Sequence, residues 1–385
     1  MIRTNRCRIA ALLGCMTMLT ACASSTQSST GTSTSASGLS SAQLAYLQAQ
    51  LKKYEAIPTF VPPGPAFNAA AAKGKLIVDI PFSSSIPFLT GIDTAMEQVA
   101  KLAGIRWVEY ANQGEPSQWI QGIDTAIAEH ANLVILGGAP SPYQLQPQLK
   151  ALKAHGIPVE VTHVLDPSQP VPPNVTAVVP ANFYEVARLV ADYAILQTEG
   201  HAQMLVITSN DILASPGQGQ AVQQELASRC GSGCHAYLVN VPTQDWATDI
   251  QTTVESFLHS HPNVNCVYPL YDSESEFAAP AIVADGDAGK VFIATYNGTP
   301  AILKLMETGN VVKFEIGEDL TWLGWAQMDQ AMRILTGHAP VKTENTPLRI
   351  FTDSTVDETG VPPAYNEGYG NNAFETGYLK LWGLK

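Results

Sequence analysis

The chain has 385 residues, 14% of them charged, and a formal charge of −13 at neutral pH. So acidic a chain repels nucleic acid and anionic lipid headgroups, which excludes both as expected ligands. Its eight histidines are scattered, and it holds no His-Glu-x-x-His, no Walker lysine motif and no Gly-x-Ser-x-Gly elbow, so no metal centre, ATPase site or serine nucleophile is expected.

The first residues form a processing signal. Arg3, Arg6 and Arg8 make a basic start, and Ile9 to Leu19 is an apolar run too short to span a bilayer. Leu19-Thr20-Ala21-Cys22 follows, with small residues before a cysteine that can accept diacylglycerol, as in a bacterial lipobox. An ordinary secretory signal with an incidental cysteine is the alternative reading. Cleavage before Cys22 removes three arginines and takes the charge from −13 to −16. No later stretch reads as a membrane helix, so a lipid on Cys22 would be the only anchor.

Ala23 to Gly38 is almost entirely Ser, Thr, Ala, Gly and Gln, a composition that cannot offset its ordering entropy and reads as a tether. Ser40 to Lys53 reads as an isolated helix, and Pro58 to Pro65 as extended. The folded body is expected from Lys73, and its roughly 310 residues exceed what one core usually supports, so two lobes are expected.

From Lys75, β-branched runs alternate with helical segments at intervals of roughly 25–30 residues, the βαβ pattern. The first strand is Leu76 to Ile80. A helix follows with Ile92, Met96, Val99 and Ala103 on one face and Gly104 as its stop. Next come a strand at Ile105 to Tyr110, a helix from Pro116 carrying Trp119, Ile120, Ile123 and Ile127, and a strand at Leu133 to Leu136. A helix through Leu145, Leu149 and Leu152 leads to strands at Ile157 to Val161 and Val175 to Val179.

A second series repeats the plan. Its strands are Met204–Thr208, Ala236–Val241, Val264–Tyr268, Val291–Thr295 and Val311–Ile316, with helices at 182–198, 217–229, 245–260, 275–284 and 299–308. A helix from Trp322 to Leu335 stops at Gly337, and Trp322 and Trp325, three apart, read as core. The fold class is α/β, with two doubly wound parallel-sheet lobes joined by a hinge. Ligands of such sheets bind at the carboxyl ends of the strands, so the strand-to-helix loops are the expected site.

Several smaller features read as structural. Cys230-Gly-Ser-Gly-Cys234 is one residue too long for a redox motif and is expected as a loop-closing disulfide or two free thiols, and Cys266 as a buried thiol. Gly217-Gln-Gly219 comes too late after its strand for a dinucleotide turn, and Asp285-Gly-Asp287 lacks the later ligands of a calcium loop.

The lipobox, the tether and two successive βαβ lobes resemble the type I periplasmic-binding-protein fold, in the ribose-binding group of ABC-importer receptors. The resemblance covers about Lys73 to Gly337, with local marks at Ser85-Ile-Pro-Phe88, Asn297-Gly-Thr-Pro300 and Leu323-Gly324. It implies a signal peptide over 1–21 and a lipidated tether over 22–72. An N-terminal lobe takes 73–180 plus 319–345, and a C-terminal lobe with tail takes 181–318 plus 346–385. It implies closure of the lobes around a solute and docking to an ABC permease with its ATPase. A monomer is expected, exported and lipid-anchored to the outer face of the cytoplasmic membrane (or the periplasmic side in a diderm), with no cofactor, no metal and no catalytic residue.

Carried over by position, the resemblance gives a pocket. Phe82, Ser84, Ser85 and Phe88 come from the loop after the first strand. Thr162 and His163 stand where sugar binders often have an Asp-Arg pair, and Pro216 where many have another arginine. Trp246, Tyr271, Tyr296, Asn297 and Glu318 follow from the second lobe. Aromatic residues are kept while both arginines are missing, so the expected ligand is neutral and partly apolar: a sugar, deoxy sugar or polyol, or else a small aromatic. A ligand-sensing module for a membrane signalling partner is the alternative function.

Overall fold

The computed structural model describes residues 38–138, 141–309, 311–342, 344, 346–370 and 372–384. The signal segment and Cys22 lie outside the described residues.

In chain order, α1 (Ser41–Lys52) precedes a first alternating series: β1 (Leu76–Pro81), α2 (Pro87–Ala103), β2 (Arg106–Glu109), α3 (Pro116–Ala128), β3 (Leu133–Gly137), α4 (Gln146–Ala154), β4 (Val159–Thr162) and β5 (Ala177–Val179). The second series runs α5 (Phe183–Gln197), β6 (Gln203–Thr208), α6 (Ser215–Arg229), β7 (His235–Asn240), α7 (Trp246–Ser260), β8 (Cys266–Pro269), α8 (Asp272–Ala284), β9 (Phe292–Asn297), α9 (Pro300–Glu307) and β10 (Val312–Glu318). The chain ends with α10 (Leu320–Leu335), β11 (Leu348–Thr352) and α11 (Ala373–Trp382).

Two sheets result, in the orders β2-β1-β3-β4-β5 and β11-β10-β9-β8-β6-β7. Every pairing is parallel except β10 with β11. The central strands are buried along their whole length, as strands covered by helices on both faces must be. Prolines in the first turn open α2, α3, α4, α6 and α9, where the missing N–H would be unpaired in any case.

Each sheet has its own core, and each core draws on a distant end of the chain. The first includes Leu320, Trp322, Leu323 and Trp325 of α10, and Phe374, Tyr378 and Trp382 of α11. Helix α10 lies so close to α2 that a Cβ at Gly324 would come within 2.7 Å of the Ala95 methyl and 2.8 Å of the Ile92 carbonyl oxygen. The second core includes Leu47 and Leu51 of α1.

Three expectations change here. The helix at Ser41–Lys52 is not isolated: Leu47 is fully buried against the second core, and Ser40 and Gln43 close a capping box at its start. Residues 54–67 are not part of a tether. They hydrogen-bond to β11, where Ile350 N–H donates to Tyr54 O at 2.8 Å, and to the end of α11, where Phe67 N–H donates to Leu381 O at 2.9 Å. The tail assigned to the C-terminal lobe is divided. Leu348–Thr352 adds an antiparallel strand to the second sheet, while Ala373–Trp382 enters the first core because its Phe, Tyr and Trp rings pack against Trp322 and Trp325.

The chain therefore crosses between the two cores five times: through 54–67, between β5 and α5, between β10 and α10, between α10 and β11, and between β11 and α11. At the β10 crossing, the Tyr369 hydroxyl occupies the space a Cβ on Gly317 would need, so glycine there seats the tail against the strand. Cys230 and Cys234 are joined in a disulfide with a Cα–Cα separation of 5.6 Å, and Cys266 is a buried free thiol.

Candidate functional site

The loops at the carboxyl ends of both sheets converge on one apolar cavity. From the first lobe come Phe82 after β1, Ile86, Phe88 and Leu89 at the start of α2, Gly138 after β3 and His163 after β4. From the second come Phe183 opening α5, Ile212 after β6, Trp246 opening α7, Tyr271 and Ser273 at the start of α8, and Asn297 ending β9. Its volume is about 50 Å³. That is well below the roughly 300–1,000 Å³ of typical ligand sites. It adjoins a groove of about 750 Å³, lined by Ser85, Gln113, Gln144, Asp211, Thr243 and Gln244 among others. Phe82, Ile86, Trp246 and Ser273 line both, so they form the wall between cavity and groove.

Each ring is set by its neighbours. Trp119 Nε1 donates to the Phe82 carbonyl at 2.9 Å, and the two rings lie 5.3 Å apart. The Trp246 indole N–H donates to Ser209 Oγ at 2.8 Å, and Ser209 Oγ lies 2.7 Å from both Glu274 and the Val241 carbonyl. Burial pushes Glu274 up to about 8, so near neutral pH its carboxyl can donate to Ser209, which donates to Val241. The Tyr271 hydroxyl donates to Gln218 Oε1 at 2.8 Å. His163 Nε2 lies 2.8 Å from Glu318 Oε2, a tie between the lobes at the β10 crossing, and its ring lies 4.9 Å from Phe88 and 5.1 Å from Phe183.

Asn297 differs from the rest. Its Oδ1 accepts from the Asp272 backbone N–H at 3.4 Å, while Nδ2 is buried with no protein partner. Asn297 also has φ 134, and His163 has φ 52, both sparsely populated for non-glycine residues. The Asn297 turn is held from below. Asp272 accepts from the backbone N–H and hydroxyl of Thr299 at 2.6 and 2.7 Å, and Glu315 accepts from Gly298 N–H at 2.8 Å. Burial raises the Asp272 carboxyl to about 7.

The site residues expected from sequence thus separate. Phe82, Phe88, His163, Trp246, Tyr271 and Asn297 line the cavity, and Ser85 lines the groove. Ser84 does neither, because its hydroxyl donates to Glu109 at 2.7 Å and accepts from Asn112 N–H. Thr162 lies buried at the end of β4, outside the lining. Tyr296 and Glu318 sit behind His163, with the Tyr296 hydroxyl donating to Glu318 Oε2 at 2.5 Å. Burial, and then the Glu318 charge, push the Tyr296 phenol well above its usual range. Glu318 does not line the cavity: its Oε2 is taken by His163 and Tyr296, while its Oε1 is buried without a partner. Ile86, Leu89, Gly138, Phe183, Ile212 and Ser273 were not anticipated. Phe183 and Ser273 each lie in the first turn of a helix after a strand, a position that could have signalled them.

Residues 77–339 match the model of the periplasmic binding protein domain, and the chain belongs to that family. Solved structures share the fold at low identity. An ABC transporter solute-binding protein from Bacillus halodurans with bound myo-inositol is 17% identical, with a TM-score of 0.66, covering 76% of this chain and 99% of its own. The 5-methylthioribose transporter solute-binding protein of Thermotoga lettingae is 16% identical, with a TM-score of 0.67, covering 82% and 94%. A periplasmic ribose ABC transporter protein from Conexibacter woesei is 21% identical, with a TM-score of 0.62, covering 76% and 95%. No curated protein matches the chain in sequence.

Proposed function

We propose that this protein is the solute-binding component of an ABC importer. It closes two lobes around a small neutral solute and delivers it to a permease driven by an ATPase. The observation that carries this reading is the convergence of strand-end loops from two mostly parallel sheets on one apolar cavity. The charge around it supports a neutral ligand: among the described residues, cavity and groove are lined by no Lys or Arg, while Glu115, Asp211 and Glu276 border the groove. An anion would meet no countercharge there. The Bacillus halodurans protein holds myo-inositol, the Thermotoga lettingae protein 5-methylthioribose, and the Conexibacter woesei protein is a ribose transporter component, so sugars, deoxy sugars and polyols are the first compounds to test. Phe82, Phe88, His163, Trp246, Tyr271 and Asn297 are assigned to the ligand, and Ser85 to its path of entry. The reading involves no chemical step.

The test is a thermal-shift screen of the purified protein against monosaccharides, deoxy sugars, polyols and small aromatics. A binder at about 100 times its dissociation constant should add ~2.7 kcal/mol of stability. A flat response from every class would sink the reading.

The same proposal places a lipid on Cys22 as the only anchor. Cys22→Ser should then move the protein from the membrane fraction to the soluble one. Retention of the variant in the membrane would remove the anchor from the proposal.

A further inference from the structure

The cavity's polar atoms are nearly all committed inside the protein. The Trp246 indole N–H is bound to Ser209, the Tyr271 hydroxyl to Gln218, and His163 Nε2 to Glu318, while His163 Nδ1 has no partner among the described residues. What faces the ligand space is therefore ring and hydrocarbon: Phe82, Phe88, Leu89 and Phe183, and the faces of Trp246 and Tyr271. Besides His163 Nδ1, the exception is Asn297 Nδ2, a buried donor without a partner on an amide whose Oδ1 accepts from the Asp272 N–H at 3.4 Å. Ser273 adds a hydroxyl at the wall shared with the groove.

A solute hydroxylated at every carbon would lose water from several hydroxyls here and regain few hydrogen bonds. A solute with an apolar arm or ring would match the cage, and one oxygen on it would satisfy Asn297. The cavity's small volume favours a short arm over a second sugar ring.

We propose, resting on the solute-binding reading above, that the ligand is a compact amphipathic molecule. Its apolar arm enters the cage between Phe88, Phe183 and Trp246. An oxygen beside that arm accepts from Asn297 Nδ2, and its hydroxylated end faces the groove. Apolar substitution of a sugar-sized solute therefore strengthens binding instead of weakening it.

Ribose and 5-methylthioribose form a matched pair, since the second carries a methylthio group where the first has its 5-hydroxyl. Isothermal titration of the full chain with both, with myo-inositol and with benzyl alcohol tests the proposal. The methylthio sugar should bind at least tenfold tighter than ribose and myo-inositol. Asn297→Ala should weaken it about tenfold, with the melting temperature of the unliganded protein recorded as a check on folding. Benzyl alcohol binding more tightly than both ribose and myo-inositol also supports the apolar cage. Ribose or myo-inositol binding as tightly as the methylthio sugar or tighter overturns the inference and leaves the receptor reading standing. Silence from all four compounds overturns both. If Asn297→Ala folds and binds the methylthio sugar unchanged, the donor assignment fails even if the selectivity holds.

Discussion

The two lobes follow one plan but bring different chemistry to the cavity between them. The first contributes mainly hydrocarbon through Phe82, Phe88 and Leu89, with His163 tied across to Glu318. The second contributes Phe183 and Ile212 but also groups with polar ends, Trp246, Tyr271 and Asn297, and ties Trp246 and Tyr271 back with hydrogen bonds to Ser209 and Gln218. A ring whose polar end is anchored keeps one orientation, whereas an apolar ring packed only by its neighbours can shift with them. On the proposed function, the first lobe shapes the site and the second orients what enters it.

The largest expected effect breaks the first lobe and not the second. Trp382 is fully buried, stacks 5.2 Å from Trp325 and donates its indole N–H to Asp329 at 2.6 Å. Trp382→Ala should destabilise the protein by about 3–5 kcal/mol, as large-to-small core changes do. Chemical denaturation followed by hydrogen exchange should show amides of β1 and β3 losing protection before those of β6 and β8. Equal loss in both sheets would mean the lobes unfold as one unit and that the comparison does not extend to stability.

Next in size is a pair of ring deletions, one from each lobe. Trp246→Ala should weaken ligand binding about 100-fold, or ~2.7 kcal/mol, because an anchored aromatic in a desolvated site behaves as a hot spot. Phe88→Ala should weaken it about tenfold, since Leu89 and Phe82 can close part of the gap. Titration of both variants with the same ligand checks the ratio. A larger loss from Phe88→Ala would reverse the roles of the two lobes.

Much of the core and part of the cavity lining were legible in the sequence, and the reason is periodicity. Ile92, Met96, Val99 and Ala103 recur at helical spacing, and all four are buried in the first core as that spacing requires. The carboxyl-end rule located the loops, and six of the eleven ligand-binding candidates line the cavity. Orientation was not legible. Ser84 and Ser85 are neighbours in one loop, yet one turns to Glu109 and the other to the groove, and no period separates two loop residues. Glu318 lies outside the cavity lining, joined to His163, which lines it, and only the fold brings the two together. The tail failed for another reason. Leu348–Thr352 and Ala373–Trp382 extend sheets and helices formed far earlier in the chain, and such long-range docking leaves no local pattern.

The smallest effect asks whether the lobes also differ in how they respond to pH. Each buries a pair of carboxyl groups: Asp79 with Asp93 in the first, and Asp272 with Glu315 in the second. Burial, reinforced by the Glu109 charge, raises Asp93 to about 8, and burial raises Glu274 to about 8 and Asp272 to about 7. In the unfolded chain these groups release their protons near pH 4, while the folded protein holds them several units higher. The folded state thus binds more protons across that interval, and stability must fall as pH rises from about 4 to about 8, then level off. The melting temperature should drop on the order of 5 °C between pH 5 and pH 8, a fall that calorimetry can resolve. Asp93→Asn should flatten part of that slope and leave ligand affinity unchanged. Glu274→Gln should flatten its own part and also alter affinity, because Glu274 supports the hydroxyl that holds Trp246. A slope untouched by both variants would assign the pH response to other groups. Equal effects on binding would mean that the buried acids of the first lobe reach the site as directly as those of the second.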